Sequence, residues 1–173
     1  MPVSNHLLLI LIMSLFLTAC STTRMAPLQT VEKVDLGRYT GLWYEIARIP
    51  HWFQDHCVAS TATYTLRPDG DIQVINRCRD ERDGALREAT GRAWVVDNAS
   101  NARLKVSFFW PFRGDYWIID LGRDYDYAVI GAPNREYLWV LARTPQIPDQ
   151  LYAGILARAA AQGFDTGRLL RKP

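Results

Sequence analysis

The sequence predicts an all-β fold: an eight-stranded antiparallel up-and-down β-barrel with one α-helix near the C-terminus packed outside. Three observations predict it. Eight strand-like runs follow one another with short connections, so neighbours in sequence become neighbours in the sheet. Gly41-Leu42-Trp43-Tyr44-Glu45 opens the first run and Arg143 ends the last. An indole and a guanidinium at the two ends of the series meet only if the sheet curls round and closes, and a shielded pair of this kind contributes about 1–2 kcal/mol. No strand–helix alternation, internal repeat or second domain interrupts the series, and 173 residues suit one domain.

The first strand is read over Trp43–Arg48. Val58–Leu66 and Asp71–Cys78 form a hairpin through Arg67-Pro68-Asp69-Gly70, a strong turn signal. Leu86–Val96 follows, then the turn Asp97-Asn98-Ala99-Ser100-Asn101. Ala102–Phe109, Asp115–Leu121, Asp126–Gly131 and Glu136–Ala142 complete the eight. Leu151, Ile155, Leu156 and Ala159 recur at helical spacing between Pro148-Asp149 and Gly163, which suit the two ends of a helix. Its apolar stripe is packing surface, and Gln150, Arg158 and Gln162 fall opposite. Arg168–Leu170 reads as a short ninth strand.

Strand side chains alternate, so parity sorts inside from outside. With Trp43 inward, Glu45 and Ala47 follow. Arg143 shares parity with Leu141, Trp139 and Tyr137. Val106 and Phe108 alternate with Lys105 and Ser107, Tyr64 shares a face with Ala62, and Asn76 with Val74 and Ile72. The expected interior is aromatic and aliphatic with polar tips at Tyr64, Asn76 and Tyr116, the usual profile of a small-molecule site. Those side chains can equally fill the barrel. Trp43 and Arg143 are read as barrel-closing residues.

Leu7–Leu17 is an apolar run ending in Leu17-Thr18-Ala19-Cys20. It is too short to span a bilayer as a mature helix and reads as a secretory signal, although Met1–His6 carries no Lys or Arg. The four residues ending at Cys20 look like the bacterial lipobox, in which the cysteine takes acyl chains such as palmitate. Two or more chains hold a protein firmly on a membrane. By resemblance to sorted bacterial lipoproteins, Ser21 rather than Asp after the cysteine implies the outer membrane over the inner, lipid-anchored and facing the periplasm. Residues 1–19 are thus read as signal peptide, 20–30 as lipidated tether and 31–173 as the barrel domain with its helix. Cys57 and Cys78 remain, flanking a hairpin in an oxidising compartment. A disulfide between them is expected, with two free buried thiols as the alternative.

Gly41-Leu42-Trp43-Tyr44-Glu45-Ile46-Ala47-Arg48 resembles the first signature of the lipocalins. Asp124-Tyr125-Asp126-Tyr127-Ala128 resembles the second, with Tyr125 where the family usually has Thr. Leu138-Trp139-Val140-Leu141-Ala142-Arg143-Thr144-Pro145 resembles the third. Thr61-Ala62-Thr63-Tyr64 and Leu104-Lys105-Val106-Ser107-Phe108-Phe109 are similar to the bacterial outer-membrane lipoprotein branch, which is related to apolipoprotein D. The match runs from about Val34 to Phe164. It implies a lipocalin calyx that binds small hydrophobic ligands, with fatty acids or lysophospholipids and envelope maintenance as the associations of bacterial members. It also implies that Tyr64, Asn76 and Trp139 line the pocket, as a Tyr, an Asn and a Trp do in the apolipoprotein D branch. In this fold the first-to-second and fifth-to-sixth connections lie at the open end. Here they carry Trp52, Phe53, Trp110 and Phe112 with Arg113, a rim suited either to a lipid surface or to narrowing the mouth.

A net charge of +2, from 20 basic and 18 acidic residues, gives no footprint for nucleic acid. No catalytic residue, metal or cofactor is expected. The mature chain holds only His51 and His56, there is no Gly-x-Ser-x-Gly elbow, and Glu45 is expected to form a buried ion pair with Arg143 on the same wall. The expected function is binding, storage or transport of a fatty acid or lysophospholipid in the envelope. The rival is an accessory lipoprotein with a filled barrel that acts through protein partners. A homodimer is compatible with the sequence.

Overall fold

The computed structural model describes residues 25–171, and the apolar leader and Cys20 lie outside the described residues. Eight strands run in chain order: β1 (Gly41–Arg48), β2 (Cys57–Leu66), β3 (Ile72–Asp80), β4 (Leu86–Val95), β5 (Arg103–Phe109), β6 (Phe112–Leu121), β7 (Tyr127–Gly131) and β8 (Leu138–Ala142). Each pairs antiparallel with the next, and β1 pairs with both β8 and β2, so the ring closes. A one-turn helix α1 (Leu36–Tyr39) precedes β1, helix α2 (Asp149–Ala161) packs outside, and β9 (Leu170–Arg171) adds to β1 at Ala47 and Arg48. All eight expected strands form. The largest shift is in β6, which begins at Phe112 rather than Asp115 because Phe109 already pairs with Phe112 across the turn.

Two apolar layers explain the architecture. Inside the ring lie Trp43, Tyr64, Ile72, Val74, Leu104, Ile118, Ile130 and Leu141. Outside it, Ile46, Ala47, Val129, Leu138 and Val140 form the bed for Tyr152, Ile155 and Ala159 of α2 and for Phe164 beyond it. The expected stripe on α2 is largely the packed one, with Leu151 and Leu156 half-buried and Tyr152 added. Gly131 permits the close docking of Phe164, because a Cβ there would stand 2.5 Å from that ring. Arg158, expected opposite the stripe, reaches Asp120 on β6 at 2.7 Å and clasps the helix edge to the barrel. Packing also starts earlier than the expected boundary. Leu28, within the segment read as tether, is buried, and Val31 donates its N–H to the Ile118 carbonyl at 3.0 Å.

Parity fails at one place with consequences for the site. A β-bulge between Glu45 and Ala47 puts one extra residue, Ile46, into β1 opposite β8. Trp43 and Glu45 face inward as expected. Beyond the bulge the sides exchange: Ala47 packs outside against the helix layer, and Arg48 turns inward beside its β8 partner Trp139. Glu45 therefore forms its ion pair with Arg48, not with Arg143. The ladder between β1 and β2 is also short, running only from Gly41↔Tyr64 to Tyr44↔Thr61, after which β1 pairs with β9.

The end where β1 begins is sealed as expected. The Arg143 guanidinium stacks 3.8 Å over the Trp43 ring. It also donates to the carbonyls of Leu42 and Arg38, both at 2.8 Å, of Thr40 at 2.9 Å, of Tyr125 at 3.2 Å and of Tyr39 at 3.3 Å. Gly41 sits at φ +97° with Arg143 Nη1 3.3 Å from where a Cβ would be, so neither the conformation nor the space suits a side chain. Tyr125 explains the departure in the second signature. Its hydroxyl accepts the Asp35 N–H at 2.8 Å, and Arg38 stacks 4.2 Å over its ring, so it staples the segment leading into α1 to the base of the barrel.

Cys57 and Cys78 are joined, with Cα atoms 5.4 Å apart and a sequence separation of 21. A double Cys57→Ser/Cys78→Ser variant is expected to lose about 3 kcal/mol of stability through the larger entropy of its unfolded chain. The urea midpoint against the oxidised parent measures it.

Candidate ligand-binding site

The barrel interior runs from a dry base to a polar wall at the mouth. At the base Trp43, Ile72, Val74, Ala93 and Leu104 are all buried. Beside them, with Tyr64 opposite Val74 and Tyr116 opposite Leu104, three phenols form a chain: Tyr39 and Tyr116 share a hydrogen bond at 2.7 Å, and Tyr116 donates to Tyr64 at 2.9 Å. Because Tyr116 has a single proton and gives it to Tyr64, Tyr39 must be its donor. The Tyr64 proton then has no protein acceptor among the described residues. Burial raises the Tyr39 and Tyr116 phenols well above the ordinary value and pushes Tyr64 up to about 12, so all three stay neutral donors. Val106 and Phe108 stand half-buried on the inner face of β5. Asn76, flanked by Ala62 and Ala89, is exposed, so water reaches the interior at its level.

At the mouth end of β1 a polar cluster, missed by sequence reasoning, lines the wall. Arg48 and Glu45 pair with almost no exposure, 5% and 4% of their side chains. Arg48 Nη2 also donates to the carbonyls of Gln54 at 2.9 Å and Cys57 at 3.3 Å. The Gln54 amide donates to Glu45 at 2.6 Å and to the Ser60 hydroxyl at 3.3 Å, and its oxygen accepts the Trp139 indole N–H at 3.3 Å. These bonds tie the loop after β1 across the mouth. Two consecutive apolar residues, Ile46-Ala47, between two charged ones were the available signal, because they break strict alternation. Nothing local marked Gln54.

The sequence comparisons agree with this geometry. Residues 34–173 match the model of a lipocalin-like domain. The chain is 42% identical over 153 residues to the outer membrane lipoprotein Blc of Escherichia coli K12, covering 88% of this chain and 86% of that one. It is 40% identical over 164 residues to outer membrane lipoprotein Blc of Vibrio cholerae, covering 91% and 96%. The chain is a lipocalin. Bovine apolipoprotein D is a more distant relative, 33% identical over 129 residues, 69% of this chain and 66% of that one. Among solved structures, insecticyanin from the tobacco hornworm Manduca sexta shares the fold at a TM-score of 0.69 with 14% identity, covering 87% of this chain and 86% of that one. Lipocalins typically bind small hydrophobic ligands rather than catalyse reactions. The expected lipid-anchored, outer-membrane localisation accords with the names of the bacterial relatives.

In this lipocalin the expected rim residues are exposed. Trp52 is 81% exposed, Trp110 79%, Phe112 77% and Phe53 54%, with Phe109 beside them at 76%. What folds inward from the first loop is Gln54 and His51. The His51 ring is buried, stacked on Phe53 with centroids 3.8 Å apart and lying 5.1 Å from Trp139. Arg113 flanks, with Trp110 and Trp94, a recess of about 770 Å³ whose other walls include Gln73 and Arg92 on the outer sheet face.

Burial, and then the nearby Arg48 charge, lower the His51 pKa to about 4. Between pH 6.5 and 4 the unfolded chain therefore holds a proton that the folded chain refuses, so stability falls on acidification through that window. The loss is at most about 3 kcal/mol. Urea midpoints at pH 7, 5.5 and 4 should show it, and His51→Phe should flatten the slope.

Proposed function

We propose that this lipocalin binds one single-chain lipid, a fatty acid or lysophospholipid, at the outer membrane and stores or carries it for membrane maintenance. The observation that supports this most is the contrast between the two ends: a dry base rich in apolar and aromatic side chains and a polar wall at the mouth, with water reaching Asn76, suit an amphiphile lying tail-down. On this reading Tyr64, Asn76, Val106, Phe108, Tyr116 and Trp139 line the tail and its junction with the headgroup. Burying about fourteen methylenes gives about 11 kcal/mol, of which association and ordering remove a third to a half. Micromolar affinities, up to some tens of micromolar, follow before any headgroup contact. The segment between acylated Cys20 and the packed Leu28 tethers the barrel, and the exposed Trp52, Phe53, Trp110, Phe112 and Arg113 meet the lipid surface from which the ligand comes.

Fluorescent fatty acid should titrate into residues 21–173, which contain the whole described barrel, with a micromolar Kd and one site. Absence of saturable binding would remove the proposal in favour of a filled barrel that works through protein partners. For the rim, sedimentation with anionic vesicles should weaken at least threefold in Trp52→Ala/Trp110→Ala, and unchanged binding would exclude the membrane contact.

A further inference from the structure

Among the described residues, five buried side-chain nitrogens lack a hydrogen-bond partner. Arg103 Nε and Trp117 Nε1 belong to one stacked pair on neighbouring strands. The other three gather at the root of the first loop: Arg48 Nε and both ring nitrogens of His51. Arg48 is paired across the ladder with Trp139, and the His51 ring lies against that same indole, so the two residues flank one side chain. Arg48 is 4% exposed and His51 9%, so water does not satisfy them from outside. A buried donor left unpaired costs about 1–3 kcal/mol, and such groups in a native fold call for an explanation.

We propose that Arg48 and His51 form the seat for the anionic group of the bound lipid, a carboxylate or a phosphate. The inference rests on the reading that the barrel takes a single-chain lipid, and it names where the charged end goes. The chemistry of the vacant atoms selects the ligand. Gln54 and the Trp139 indole N–H already have partners. What remains is a donor-only Arg48 Nε–H and an imidazole able to donate from either nitrogen. Two donors beside one indole, one of them permanently charged, favour an oxygen without a proton over an ammonium.

Charge leads to the same class. Around His51 stand Arg48 and Glu45 from β1, Gln54 and Phe53 from the loop, and Tyr137 and Trp139 from the β8 side. Arg48 is already neutralised by Glu45, so an incoming anion adds one uncompensated negative charge. Protonation of His51 compensates it, and the free protein holds that ring neutral down to about pH 4. Binding of an anion therefore takes up a proton at pH 5–6, whereas binding of a neutral lipid does not. Distance also suits an acyl tail. With Ile46 bulged out, four strand steps separate the level of Trp43 from that of Arg48, about 13 Å, the reach of an extended chain of about eleven carbons.

The test compares tetradecanoate, tetradecanol and a myristoyl lysophospholipid on residues 21–173 at pH 5.5, by calorimetry in buffers of different ionisation heat. Tetradecanoate should bind at least tenfold tighter than tetradecanol, with uptake of about one proton. His51→Phe keeps the aromatic stack and should cut that advantage to below threefold. Glu45→Gln/Arg48→Met should do the same from the other side of the seat. If the lysophospholipid loses affinity in these variants, the seat takes phosphate; if only tetradecanoate does, it takes carboxylate. Equal binding of acid and alcohol to the parent, or an advantage that survives both variants, overturns the seat while leaving lipid binding intact. No binding of any of the three overturns the lipid reading itself, and the seat with it.

Discussion

Arg143→Ala is expected to lower the unfolding free energy by about 4 kcal/mol or more, a large share of the 5–15 kcal/mol that holds a domain of this size folded. The guanidinium contributes a stack on Trp43 and fills five carbonyl oxygens at the base of the barrel. Bonds to a charged donor are worth about 1.5–3 kcal/mol each, and they do not add fully because they share one group. Truncation leaves those carbonyls to compete for water at a crowded joint. Arg143→Lys should recover little, since an ammonium lacks the planar fork that reaches the carbonyls of α1, β1 and Tyr125 together. Trp43→Phe is the gentler control. It keeps a ring under the charge and loses the indole N–H to Tyr39 at 2.8 Å, for a cost of about 1–2 kcal/mol. Urea midpoints at constant slope measure all three. A loss below about 1 kcal/mol in Arg143→Ala would show that the ring closes without this joint.

The second large effect is expected at the mouth. Glu45→Ala should cost about 3–5 kcal/mol, because it strands the Arg48 charge in a site with almost no water. Gln54 loses an acceptor in the same step, so the loop it anchors should also loosen. Glu45→Gln/Arg48→Met, which removes both charges at similar volume, should recover most of the loss. Equal destabilisation in the single and double variants would mean that packing, not charge, holds the wall together.

The fold was readable from the sequence because its determinants are local or periodic. Turn chemistry at Arg67-Pro68-Asp69-Gly70, alternation along β3 and β5 and helical spacing in α2 each leave a mark in neighbouring residues. The Trp43–Arg143 joint was readable because only ring closure brings the ends of such a series together. The candidate site was half readable. The inner placement of Tyr64, Val106, Phe108 and Trp139 follows from alternation, whereas the Glu45–Arg48–Gln54 wall depends on one inserted residue that reverses parity. The inward turn of His51 depends on a loop conformation that leaves no periodic trace. Exposure of Trp52 and Trp110 lay in the same class, since an aromatic loop reads alike whether its rings point in or out.

The short ladder between β1 and β2 makes the two ends of this molecule mechanically unlike. At its base the wall is an unbroken hoop of backbone hydrogen bonds. At its lip it is a slit cuff, fastened by Arg48 to the Cys57 carbonyl and by Gln54 to Ser60. Stretching the hoop means breaking strand pairing, but letting out the cuff means releasing only a few side-chain fastenings. Girth at the lip is therefore set by side chains that a single substitution can alter, while girth at the base is set by the chain itself.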